Sequence, residues 1–195
     1  MDFDIDRYFP DENQAYGDSG LASFEEKRPL YLSGARHFMK QYGEDIRTRH
    51  KGGAEGCWVV RTLSEMVDTL IRKLFRCITG DVRLQSGGWE QISLVAIGGY
   101  GRGELNPYSD VDIMFLYSGK DGRRVEDIAQ KILYFLWDLK LDVGYSVRTI
   151  EDCVEMAGTD VTVRTALLDT RLICGGRLLF KELQKTVLAQ IITKG

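Results

Sequence analysis

Basic excess, histidine and long apolar runs are scarce in this chain. Its 26 lysines and arginines fall short of its 29 aspartates and glutamates, for a net charge of -3. Proteins that grip a nucleic-acid backbone concentrate Lys and Arg, so no nucleic-acid partner is expected, and a free nucleotide or a protein fits better. The four cysteines, Cys57, Cys77, Cys153 and Cys174, are scattered, and the only two histidines are His37 and His50. Without a C-x-x-C pair or a neighbouring histidine they make no zinc site. Reduced, mostly buried thiols of a cytoplasmic protein are the expectation. No apolar run approaches the roughly 20 residues that span a bilayer, and the acidic, polar start lacks the basic-then-apolar pattern of a signal peptide.

What is present is an ordinary globular mixture, 44% apolar and 28% charged over 195 residues, enough for one domain with an added helical segment. An acidic arm and a helical N-terminal segment are expected over 1–80, and a second domain over 81–195. Residues 1–23 read as an irregular arm whose Phe3, Tyr8, Phe9 and Tyr16 either dock on the body or stay free. Residues 24–50 are helical, with an interruption expected at Pro29. From 54 to 78, Val59, Leu63, Met66, Val67, Leu70, Leu74 and Ile78 recur at three- and four-residue steps. That spacing predicts an amphipathic helix with Arg61, Glu65, Asp68, Arg72 and Arg76 on its wet side. A second amphipathic helix is predicted over 125–137, a strand over 141–149, and helix with a break at Gly175-Gly176 over 150–194.

The stretch with chemistry in it is 94–117, LVAIGGYGRGELNPYSDVDIMFLY. An apolar strand, 94–97, leads into a turn crowded with Gly98, Gly99, Gly101 and Gly103, and a polar loop leads to a second apolar strand with Asp110 and Asp112 near its start. A period of two turns both carboxylates to one face, their Cα atoms roughly 6.5 to 7 Å apart, and sends Val111, Ile113 and Phe115 to the other. Paired acids on an apolar strand need a compensating charge, and a hard divalent ion supplies one while keeping positions open for phosphate. Glycines let the backbone approach a ligand, and a helix start would aim N–H groups at phosphate oxygens. Neither the dinucleotide fingerprint nor a P-loop fits these glycines. A phosphate cradle beside a metal-binding acid pair points to nucleotidyl transfer.

A Gly-Gly turn followed by an Asp-x-Asp strand resembles the signature of the polymerase-β-like nucleotidyltransferases. The strings GGYGRGEL and NPYSDVD, with LWDLKLDVGYSVRTIEDC over 136–153 and LLDTRLICG over 167–175, resemble the PII uridylyltransferase/uridylyl-removing family. The resemblance implies an α+β, polymerase-β-like nucleotidyltransferase fold, a small mixed sheet with flanking helices behind a helical N-terminal segment. It implies transfer of UMP from UTP to a tyrosine hydroxyl of a PII-type regulatory protein, with Mg2+ (or Mn2+) held by Asp110 and Asp112. Two ions would bracket the attacking and leaving oxygens of an in-line displacement. Asp142 is the candidate third catalytic carboxylate, with Asp138 and Asp169 as alternatives. Gly98, Gly99, Arg102 and Ser109 are the candidates for the triphosphate, and Arg148 and Arg171 lie in matching stretches. The hydrolytic His-Asp domain of the full-length relatives is not expected here, since no His-Asp dipeptide occurs; a fragment with transferase chemistry alone is. Adenylyl transfer to another acceptor, and a degenerate nucleotide-binding domain, remain as alternatives.

Overall fold

The computed structural model describes residues 1–9, 23–81, 88–119 and 122–192. Helix α1, Phe24–Lys51, starts at a capping box in which Ser23 and Glu26 satisfy each other's main-chain N–H groups. That is the reciprocal arrangement favoured where a helix leaves its first donors without partners. The expected interruption at Pro29 does not occur: α1 runs through it. One missing backbone hydrogen bond is tolerated near the start of a long helix whose Phe24, Tyr31, Ala35, Phe38 and Ile46 are buried.

Helix α2, Gly56–Asp81, follows, then strand β1, Ile92–Ala96, and one helical turn, α3, Gly98–Gly101. Strand β2, Ile113–Tyr117, leads to helix α4, Gly122–Asp138, and strand β3, Tyr145–Arg148. Helices α5, Ile150–Thr159, and α6, Val161–Leu168, precede strand β4, Arg171–Gly175, and helix α7, Arg177–Thr186, with a closing helical stretch Val187–Ile192. The fold is α+β around one mixed sheet of order β3-β2-β1-β4. β1 pairs antiparallel with β2 and β4, while β2 and β3 run parallel.

Strand β4 falls where helix was expected. Its two adjacent apolar residues, Leu172 and Ile173, carry no period, and the strand exists through pairing with β1, a partner far away in sequence. Of the turn that Ser86-Gly87-Gly88 suggests before the first strand, Ser86 and Gly87 lie outside the described residues, as do Tyr16 and residues 193–195.

Alternation along the strands sorts the core. Val111, Ile113 and Phe115 join Leu94 and Ala96 in the cluster formed with α1, α2 and α4, while Met114, Leu116 and Val95 face α5, α6 and α7. Burial on both faces gives β2 the continuous apolar run of a central strand. Residues 1–9 also dock. Ile5 and Phe9 are buried, Phe3 and Tyr8 meet Phe38 and Tyr42 edge-on, and Lys73 pairs with Asp6 at 2.8 Å. No helix among the described residues is long and apolar enough to cross a membrane.

Candidate active site

The acid pair sits just ahead of β2, in an extended segment held on both sides. Val111 N–H donates to Asp142 O (2.8 Å), Ile113 N–H to Gly144 O (2.9 Å), and Ile97 N–H to Asp112 O (3.1 Å). These bonds extend the parallel β2–β3 register backwards, so Asp112 lies level with Gly144 and Asp110 with Asp142. The strand's regular hydrogen-bonded span begins at Ile113 and that of β3 at Tyr145, later than the sequence suggests. Extended geometry nevertheless reaches both aspartates and keeps the alternation, with Val111 buried on the opposite side.

The carboxylate of Asp112 lies between two glycines. A Cβ at Gly144 would stand 2.2 Å from Asp112 Oδ1, and one at Gly98 would stand 3.9 Å from Asp112 Oδ2. The first position therefore needs a residue without a side chain. Gly98 needs it for another reason, a φ of 61°, in the left-handed region that costs other residues free energy. The glycine turn and the acid thus share one small space. Burial, and secondarily the charge of Asp110, hold the Asp112 carboxyl above its usual range. Neither Asp110 nor Asp112 forms an ion pair among the described residues. Two adjacent carboxylates without a counter-charge, one of them raised by its surroundings, fit a hard divalent cation.

The other expected residues divide. Asp142 is exposed and level with Asp110. Among the described residues, however, no group of three or more His, Cys, Asp or Glu side chains is gathered so as to hold a metal ion. Asp138 is directed elsewhere, paired with Arg28 at 2.7 Å. Ser109 closes a turn with Asn106: its N–H (3.1 Å) and hydroxyl (2.9 Å) both donate to Asn106 O. Pro107 and Tyr108 form the corner, Tyr108 at φ 68° and 98% exposed. Arg102 donates to Glu104 (2.9 Å) and Asp169 (2.6 Å), and its Nη2 stands 3.7 Å from where a Cβ on Gly99 would be. Gly98, Gly99 and Tyr100 precede the first bond of the helical turn, Gly101 N–H to Ile97 O (3.0 Å). Their N–H groups are the free donors of a helix start.

What holds the glycine turn in place was not expected. Asp68, assigned to the wet side of its helix, is buried at 3% exposure. It accepts from Tyr100 Oη (2.6 Å), Arg72 Nη2 (2.9 Å) and both terminal nitrogens of Arg171. Arg171 Nη2 also donates to Tyr100 O (3.0 Å), and its guanidinium lies 5.3 Å over the Tyr100 ring. Gly101 packs so closely on the chain before β4 that a Cβ would stand 1.8 Å from Asp169 O. Burial first, then the Asp68 charge, keep the Tyr100 phenol well above its ordinary value, so it remains a neutral donor. The four-residue turn is thereby fastened to α2 and β4. A hint lies in the sequence: Asp68 and Arg72 are one helical turn apart, next to the apolar stripe.

The sequence profile described as "Nucleotidyltransferase domain" matches residues 83–173. Among curated proteins, the chain is similar to enzymes named bifunctional uridylyltransferase/uridylyl-removing enzyme. The one from Azospirillum brasilense is 37% identical over 172 residues, which is 83% of this chain and 18% of the relative. That from Rhodospirillum rubrum is 40% identical over 173 residues (86% and 18%), and that from Novosphingobium aromaticivorans 46% identical over 117 residues (59% and 13%). The chain spans less than a fifth of the length of these relatives.

Proposed function

We propose that this chain, whose residues 83–173 match the nucleotidyltransferase-domain profile, transfers UMP from UTP to a tyrosine hydroxyl of a PII-type regulatory protein. The observation that carries this is the Asp112 carboxylate set between Gly98 and Gly144, beside Asp110 and, among the described residues, without a counter-charge. The relatives' names supply the uridylyl group, and the family resemblance supplies the tyrosine acceptor.

In the transfer, the tyrosine oxygen bonds to the α-phosphorus while the bond to the leaving pyrophosphate breaks. Asp110 and Asp112 are the residues that would hold Mg2+ or Mn2+, which when bound offsets phosphate charge and polarises the phosphoryl oxygens. The N–H groups of Gly98 and Gly99 would donate to the triphosphate, and Arg102 Nη2 stands over the same turn. Ser109 fixes the corner that delivers Asp110. Asp142, level with Asp110, receives the proton of the incoming hydroxyl. The chain's contribution is placement and fixed charge, the main sources of rate in phosphoryl transfer.

Labelled UTP and ATP, Mg2+ and a PII-type protein test this directly. Label is expected to pass from UTP to the protein's tyrosine, and Asp112→Ala to abolish that transfer. Turnover on neither nucleotide would overturn the proposal. A second reading, a nucleotide-binding domain without turnover, is favoured by the lack of a gathered third acid among the described residues. Tight metal-dependent UTP binding with no transfer would select it.

A further inference from the structure

The face that bears Asp112 continues along β3. Gly144 lies level with Asp112, Ser146 is the register partner of Met114 and Arg148 that of Leu116. All three therefore share one side of the strand, at intervals of about 6.5 Å. Val147, between them, pairs with Phe115 and packs on the opposite side.

Two of these residues have features that the fold does not use. The Ser146 hydroxyl is buried and has no hydrogen-bond partner among the described residues, a condition that native structures rarely leave in place. Arg148 is half-buried and, among the described residues, forms no ion pair and no side-chain hydrogen bond, whereas Arg28, Arg72, Arg102 and Arg171 are all tied to acids. The nearby acid Asp152 is turned back onto Thr149 N–H at 2.8 Å. The Arg148 charge is felt on the α5 side of the sheet, where it opposes the upward push of burial on the Cys153 thiol. Cys153 Sγ in turn lies 3.6 Å from Met114 Sδ, level with Ser146. A free guanidinium and an unused hydroxyl thus stand on one apolar stretch, in line with the acid pair.

We propose that Ser146 and Arg148 extend the Asp110–Asp112 site into a polyphosphate subsite, in which Ser146 Oγ donates to, and Arg148 pairs with, the tail of a bound nucleoside triphosphate. The proposal rests on the nucleotidyl-transfer reading of that site. Phosphate is the ligand that uses both groups. It offers the guanidinium fork charge and a matching pair of oxygens, and it offers the hydroxyl an acceptor; a neutral nucleobase gives the arginine no charge to meet. The apolar surroundings of Met114 and Cys153 strengthen such bonds by excluding water.

Calorimetric titration of the whole chain with Mg-UTP and with inorganic tripolyphosphate, alongside thermal melting, tests this in Ser146→Ala, Arg148→Met and Arg148→Lys. Arg148→Met is expected to weaken both probes by about tenfold or more, the worth of one charge-assisted contact, and Arg148→Lys to restore part of the loss. Ser146→Ala is expected to weaken them about threefold while melting no lower than wild type, because it deletes a hydroxyl without a partner. A merely structural serine would do the reverse, losing stability and keeping affinity, and that result would overturn the subsite. Wild-type affinity in Arg148→Met would overturn it too, and would leave nucleotidyl transfer standing wherever wild type binds Mg-UTP. Failure of wild type to bind Mg-UTP would overturn both.

Discussion

Replacing Gly144 by alanine tests whether the position of one carboxylate matters. The new Cβ would lie 2.2 Å from Asp112 Oδ1, where ordinary contact begins near 3.4 Å. The carboxylate, the far end of a rotatable side chain, must therefore move by about 1 Å, and a displacement of that size at a reacting centre costs about 100-fold in rate. Stability should hardly change. Gly144 is not in the left-handed region, Asp112 is only half-buried, and its carboxylate can rotate away. Pyrophosphate release from UTP with a PII-type acceptor, measured beside the melting temperature, separates the two effects. A drop of about 100-fold with an unchanged melting temperature is expected. Full activity in Gly144→Ala, or a loss that merely follows unfolding, would refute the idea that this glycine sets the acid's place.

Gly101→Ala should behave in the opposite way, because its Cβ meets main-chain atoms, Asp169 O at 1.8 Å and Ala96 O at 3.0 Å. A loss of about 1–3 kcal/mol in denaturant unfolding is expected for such overpacking. Asp68→Ala leaves Tyr100, Arg72 and Arg171 without their shared acceptor, and a cost of about 3–5 kcal/mol in the same assay is expected for breaking a buried charge network. Asp112 has the raised pKa of a desolvated acid beside another acid. The folded state therefore holds a proton that the unfolded chain has already released, and stability falls as pH climbs from the ordinary carboxylate value of 3.8 through the raised one. Asp112→Asn should accordingly melt higher than wild type at neutral pH without metal, and should show none of the stabilisation that Mg2+ gives wild type.

Local pattern carried much of this molecule. The period of α2 and α4, the glycine turn, and the alternation that sends Val111, Ile113 and Phe115 to one side and the two aspartates to the other are all visible in the chain order. What was hidden depends on partners distant in sequence. Strand β4 has no period of its own and is made by β1. Asp68 looks solvated on a helical wheel because nothing local shows that Tyr100 and Arg171 will surround it. Gly144 lies inside the strand expected over 141–149 and carries no signal of its own; only parallel pairing sets it against Asp112. Pro29 misled in the other direction, since tertiary burial of α1 outweighs one lost hydrogen bond.

The central claim is that the glycine turn and the aspartate pair grip one ligand together. Titration of Mn-UTP into wild type, Asp112→Asn and Gly98→Ala, with bound Mn2+ counted by its paramagnetic signal, tests it most directly. Saturable uptake of metal together with nucleotide by wild type, with both lost together in each variant, is the predicted result. Nucleotide bound undiminished by Asp112→Asn, or metal bound without nucleotide being affected in Gly98→Ala, would contradict it.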